Sequence, residues 1–141
     1  MSLVELEHIE QIKKLKARYL RLMDQRKWEE WGDLFVADAT IETILIGDRT
    51  ILWEGRDKIV SGNREANGLD KSIHHCHTPD IEITSETTAV GSWALFDLYF
   101  IKGRRAEAYG YYEDHYVLEG GRWRIKSVKL WLERAPDQHP A

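Results

Sequence analysis

His74, in the run His74-His75-Cys76-His77, and two carboxylates distant from it, Asp24 and Asp97, are the side chains best suited to chemistry in this sequence. A histidine oriented by a carboxylate can act as a general base near neutral pH, because the carboxylate sets its tautomer and stabilises the imidazolium that forms. Asp24 and Asp97 are both candidates for that partner, and the residue types alone do not choose between them. The histidine run also invites a metal reading. His75 and His77 can share a strand face, but the remaining ligands would have to come from elsewhere, so no metal is expected.

The elements that must position these groups follow from hydrophobic period. Ile9, Ile12, Leu15, Tyr19 and Leu22 recur at helical spacing, which predicts an amphipathic first helix. Trp28, Trp31, Leu34 and Phe35 predict a short second helix, with Asp24 at the junction. Residues Ala39–Ile46 and Thr50–Glu54 around Gly47-Asp48 read as a hairpin. A third helix carries Ile59, Val60 and Ala66 and stops at Asn67-Gly68. Ile81–Thr84, Ala89–Ile101, Ala106–Glu119 and Trp123–Glu133 then read as an antiparallel meander, with His74 in a loop just before the first strand. Trp93, Leu95, Asp97 and Tyr99 alternate onto one face of the longest strand, and Ala94, Phe96, Leu98 and Phe100 onto the other. Asp97 is out of place there, since a buried carboxylate needs a partner or a raised pKa. The apolar second face calls for a cover, most simply another subunit. The tail Ala135–Ala141 is expected to wrap an edge or fray.

The chain has 141 residues and a net charge of −4, which fits one domain spanning residues 1–141 and argues against nucleic acid as the main partner. Its six tryptophans are large rings for a core or a cavity wall. One cysteine, Cys76, allows no internal disulfide. No apolar run is long enough to span a bilayer and the N-terminus lacks a signal-peptide core, so a cytoplasmic location without membrane association is expected.

The patterns Tyr19-x4-Asp24-x3-Trp28, His74-x2-His77-Thr78-Pro79-x-Ile81 and Gly91-x-Trp93-x3-Asp97 resemble the SnoaL-like and scytalone dehydratase branch of the nuclear transport factor 2-like (cystatin-like) superfamily. The segment His74–Asp97 is most similar to the bile acid 7α-dehydratases. The resemblance implies an α+β cone, a bent antiparallel sheet packed on three helices around a pocket. It implies Asp24 and His74 as the acid–base pair, Tyr19 as a ligand of the substrate carbonyl, and Asp97 as an aid to the histidine or to the departing hydroxyl. Trp93, Leu95, Tyr99, Tyr112 and Leu130 are the pocket-wall candidates. Leu132 stands where the bile acid enzymes carry an arginine, and Tyr99 falls near the second histidine of scytalone dehydratase. A homo-oligomer is implied, a trimer ahead of a dimer.

The function expected from this is a cofactor-independent lyase acting on a small hydrophobic, cyclic, carbonyl-bearing molecule such as a steroid. The alternatives are an isomerase or dehydrohalogenase on the same scaffold, or a non-catalytic binder of apolar ligands. One geometric tension accompanies the reading. Tyr19 and Asp24, five residues apart, point about 140° apart on a continuous helix.

Overall fold

The computed structural model describes residues 1–66 and 70–135. The expected helix stop at Asn67-Gly68 and the tail after Ala135 lie outside the described residues. The first helix, α1 (Leu3–Asp24), starts at Ser2, whose side chain accepts from the Glu5 N–H at 3.1 Å, satisfying a donor that the helix itself cannot. Its inward stripe is Ile12, Leu15, Lys16, Tyr19, Leu22 and Met23. A short α2 (Trp28–Gly32) and α3 (Arg56–Ala66) follow the same apolar logic.

The strands are β1 (Phe35–Leu45), β2 (Thr50–Glu54), β3 (Lys71–Ile83), β4 (Thr88–Ile101), β5 (Arg104–Glu119) and β6 (Arg122–Arg134). They form one sheet in the order β2-β1-β6-β5-β4-β3. The hairpin and the meander are as expected, and the fold is the mixed α+β one. The link between them is a parallel β1–β6 pair, which no local pattern announces. Register breaks between Phe35 and Thr40, between His77 and Asp80, and between His115 and Tyr116 bend the sheet, as bulges do.

Two boundaries differ from expectation. Phe35 opens β1 rather than closing α2, because the Leu34 carbonyl accepts from the Ile125 N–H at 2.8 Å and draws the chain onto β6. More important for function, His74 lies within β3 rather than in a loop before it. Residues 71–77 pair with β4, and the irregularity sits instead at Thr78, where φ is 48°. The polar histidine run hides this strand from a hydrophobicity reading.

The principal core lies between α1, α2 and the concave face of the sheet, around Trp31, Phe35, Tyr112, Tyr116 and Ile125. Among the described residues no helix is long and apolar enough to cross a membrane. At Gly110 on β5, an added Cβ would come within 1.8 Å of the Trp131 carbonyl oxygen. Gly110 pairs with Leu95 and Leu132, both of which line the cavity described below. Gly110→Ala is therefore expected to cost about 2–3 kcal/mol or more by forcing β5 and β6 apart, measured as a lower urea midpoint.

Candidate functional site

The site begins at the C-terminal tip of α1. The helix ends in a Schellman turn. The Arg26 N–H donates to Met23 O and the Lys27 N–H to Leu22 O, with Arg26 in the left-handed region at φ 59°. Asp24, the last helical residue, therefore projects sideways toward β3, the edge strand of the sheet. There its Oδ2 accepts the His74 backbone N–H at 2.9 Å, and its Oδ1 accepts the Ser72 hydroxyl at 3.0 Å and lies 2.6 Å from His74 Nδ1. One carboxylate thus caps an exposed strand edge and orients the imidazole.

The edge bond also fixes what happens on the other side of the ring. The His74 N–H points away from β4, so His74 and its register partner Asp97 form a non-hydrogen-bonded cross-strand pair, the kind whose side chains approach most closely. His74 Nε2 accordingly lies 3.4 Å from Asp97 Oδ2. The result is a line, Asp24–His74–Asp97, in which the histidine bridges two carboxylates. The choice of partner left open by residue type resolves into both, at opposite ring nitrogens.

Burial pulls the His74 pKa down. The Asp24 hydrogen bond and the charges of Asp97 and Asp24 outweigh it, leaving the pKa above the ordinary 6.5, with Lys16 acting alongside burial in the downward direction. For Asp97, burial pushes the carboxyl from 3.8 up to about 6, with His74 opposing and Asp24 adding to the rise. Asp97 Oδ1 is buried with no hydrogen-bond partner among the described residues.

A cavity of about 160 Å³ opens onto this line. His74 and Asp97 border it, as does Tyr19, and Leu95, Tyr112 and Leu130 form part of its wall. Asp24 does not border it, and this removes the tension over the helix. Tyr19 faces inward from the helix flank and Asp24 acts from behind the histidine. Tyr19 is buried, and burial first, then the Asp114 charge, raises its pKa far above 10.0, so it remains a neutral O–H donor.

Two wall candidates are placed elsewhere. Trp93 is buried, but its indole N–H donates to the Tyr116 hydroxyl at 3.1 Å. Tyr99 packs in a separate small cluster with Ala106 and Ala108. The inward face of β4 from Trp93 to Tyr99 spans about 20 Å at 3.3 Å per residue, and the cavity takes only its middle, Leu95 and Asp97. His75 and His77 are exposed, and among the described residues no group of three or more potential ligands gathers to hold a metal.

Sequence reading missed several residues. Ser72 supports Asp24; Thr43 and Asn63 add polar groups to the cavity wall; Met23, Ile41, Trp53 and Leu132 complete much of its apolar part. Beneath Tyr19 and Tyr112 lies an ion pair, Lys16 Nζ to Asp114 at 2.9 Å, with side chains 1% and 0% exposed. By sequence Lys16 reads as one of the charged positions outside the apolar stripe of α1, and the structure instead turns it inward.

The model of the SnoaL-like domain matches residues 4–129. The chain belongs to the SnoaL-like domain family. Solved structures agree on the fold. A candidate scytalone dehydratase from Novosphingobium aromaticivorans is 21% identical, with 100% of this chain and 93% of that one covered and a TM-score of 0.82. A type 2 hexachlorocyclohexane dehydrochlorinase (LinA) is 17% identical over 97% and 95% of the two chains, TM-score 0.78. A nuclear transport factor 2-like protein with a cystatin-like fold, also from Novosphingobium aromaticivorans, is 22% identical over 92% and 84%, TM-score 0.72. The bent sheet and helices of this SnoaL-like domain are thus the cystatin-like fold expected from its motifs.

The raised Asp97 pKa has a consequence for stability in this SnoaL-like domain. The native state holds the Asp97 proton more tightly than the unfolded chain does. Stability from this group is complete below about pH 4 and is lost as pH rises through about 6. His74 acts in the same direction at higher pH, since its pKa is raised above 6.5. The stability of the wild type relative to Asp97→Asn is expected to fall by roughly 2–3 kcal/mol between pH 4 and pH 7, measured by urea unfolding of both proteins at each pH.

Proposed function

We propose that this SnoaL-like domain is a cofactor-independent hydro-lyase that removes water from a six-membered-ring ketone bearing a β-hydroxyl. The observation that carries the reading is the Asp24–His74–Asp97 line, whose His74 and Asp97 border a cavity together with Tyr19. His74 Nε2 takes the proton from the carbon beside the carbonyl. Charge moves to the carbonyl oxygen, which accepts a hydrogen bond from the neutral Tyr19 hydroxyl. Asp97, in its protonated form, gives its proton to the hydroxyl, which leaves as water while the C–O bond breaks and the C=C bond forms. His74 then carries one proton too many and Asp97 one too few, and transfer across the 3.4 Å between them restores both. Asp24 holds the ring and stabilises the imidazolium without touching substrate.

The structural neighbours that are named as a dehydratase and a dehydrochlorinase support eliminations on this fold. Asp97 favours water over halide, because a departing halide needs no proton donor, whereas hydroxide leaves poorly without one. Cavity size bears on the substrate. An engineered protein cavity of about 150 Å³ holds benzene, so about 160 Å³ encloses one ring. A four-ring steroid, the substrate class implied by the bile acid dehydratase resemblance, would fit with only one ring enclosed.

The test is a screen of 3-hydroxycyclohexanones and larger hydroxylated cyclic ketones, following enone absorbance. His74→Ala is expected to lower kcat at least about 100-fold and Tyr19→Phe about 100-fold; turnover untouched by His74→Ala removes the mechanism. In the active state His74 and Asp97 share a single proton. The pH–rate profile should therefore be bell-shaped, falling below about pH 6 as Asp97 is protonated together with His74. It should fall again above the raised His74 pKa as the shared proton is lost.

A further inference from the structure

The Lys16–Asp114 pair is not used by the mechanism above. Burying two charges costs several kcal/mol per ion before pairing returns any of it, and here the pairing is incomplete. Lys16 Nζ and Asp114 Oδ2 are 2.9 Å apart, but the contact is an ion pair rather than an aligned hydrogen bond, and Asp114 Oδ1 has no partner among the described residues. Apolar residues of similar shape would serve the core at least as well. The pair also has a direction. On one side, the Tyr116 hydroxyl donates to Asp114 Oδ2 at 2.7 Å and receives the Trp93 indole N–H. On the other, Lys16 Nζ sits 3.4 Å from the Tyr112 ring centroid and 4.3 Å from that of Tyr19, cation–π distances on the two tyrosines that line the cavity.

We propose that Lys16 is a positioning residue of the site, holding the Tyr19 and Tyr112 rings by their faces and supplying the cation that balances the carboxylates flanking His74. This rests on the reading of His74 as the base. The groups that act on His74 are Asp24 and Lys16 from α1 and Asp97 from β4. The two acidic side chains favour the protonated ring, and burial and Lys16 both pull the other way, toward the neutral ring that can take up a proton from carbon. Lys16 opposes them, and it similarly opposes the upward push of burial on the Cys76 thiol, where Asp114 acts in the other sense. Asp114 keeps the ammonium in the core and, facing Tyr19, helps keep that phenol neutral.

The experiment is NMR titration of the His74 ring in the wild type and in the paired variant Lys16→Met with Asp114→Asn, alongside thermal unfolding. Replacing both charges with neutral groups of like shape should leave the fold intact. The His74 titration is expected to move up by half a pH unit or more. Where a turned-over ketone is in hand, kcat should fall about tenfold below the pH optimum with little change in KM, and the acid limb of the profile should shift upward. A folded variant with an unmoved His74 titration overturns the proposal, since a purely structural pair would change only the melting temperature. Should the paired variant not fold, Lys16→Gln carries the same expectation, its amide still able to donate to Asp114. Failure of both to fold assigns the pair to structure alone and overturns it too. The titration needs no substrate, so a shifted His74 in a protein that dehydrates none of the ketones would sink the hydro-lyase reading and leave the Lys16 role standing.

Discussion

A single carboxylate at the end of a helix holds this structure in its working form. Asp24 accepts a backbone N–H from the free edge of β3, a hydroxyl from Ser72 and a contact from the His74 ring. A sheet edge normally presents unpaired donors, and here one of them is spent on docking the tip of α1. Because that donor is turned outward, His74 and Asp97 become a close, non-hydrogen-bonded pair across β3 and β4. The docking of α1, the tautomer of the histidine and the approach of the second carboxylate are therefore one arrangement.

The same arrangement explains why so many ionisable groups persist in a small core. Asp97, Lys16 and Asp114 are all buried, and each by itself would be costly. They are tolerated as an alternating series around the cavity: Asp24, His74 and Asp97 in one line, Lys16 and Asp114 in a second beneath the tyrosines. Charges in such a setting interact through little solvent, so each shifts its neighbours strongly. This is a favourable place for moving protons and an unfavourable one for stability, in keeping with the expectation that function and stability oppose each other at strained sites.

The shape of the cavity is a separate matter. Tyr19, Asp24, His74 and Asp97 come from α1, β3 and β4, whereas much of the apolar wall comes from β1, β2, α3 and β6, through Ile41, Trp53, Ala66, Val128 and Leu130. The polar line and the cavity wall are therefore set by largely different elements of the fold. At Gly62, an added Cβ would come 2.5 Å from the Trp53 ring, so the seat of α3 against that wall depends on a residue with no side chain.

The sequence by itself determined the amphipathic first helix, the hairpin, the meander, the oddity of Asp97 on an apolar strand face, and the motif that ties Tyr19, Asp24, His74 and Asp97 to one family. These are legible because they depend on local period or on residue type. The tertiary structure alone decided that His74 belongs to a strand, that it is gripped by carboxylates at both nitrogens, that Trp93 and Tyr99 turn to other neighbours, and that β1 runs parallel to β6. Each of those depends on which distant segments meet. The polar run 74–77 carries no strand signal until β4 pairs with it. Lys16 reads as one more helix charge until Asp114, 98 positions later, is folded against it (114 − 16).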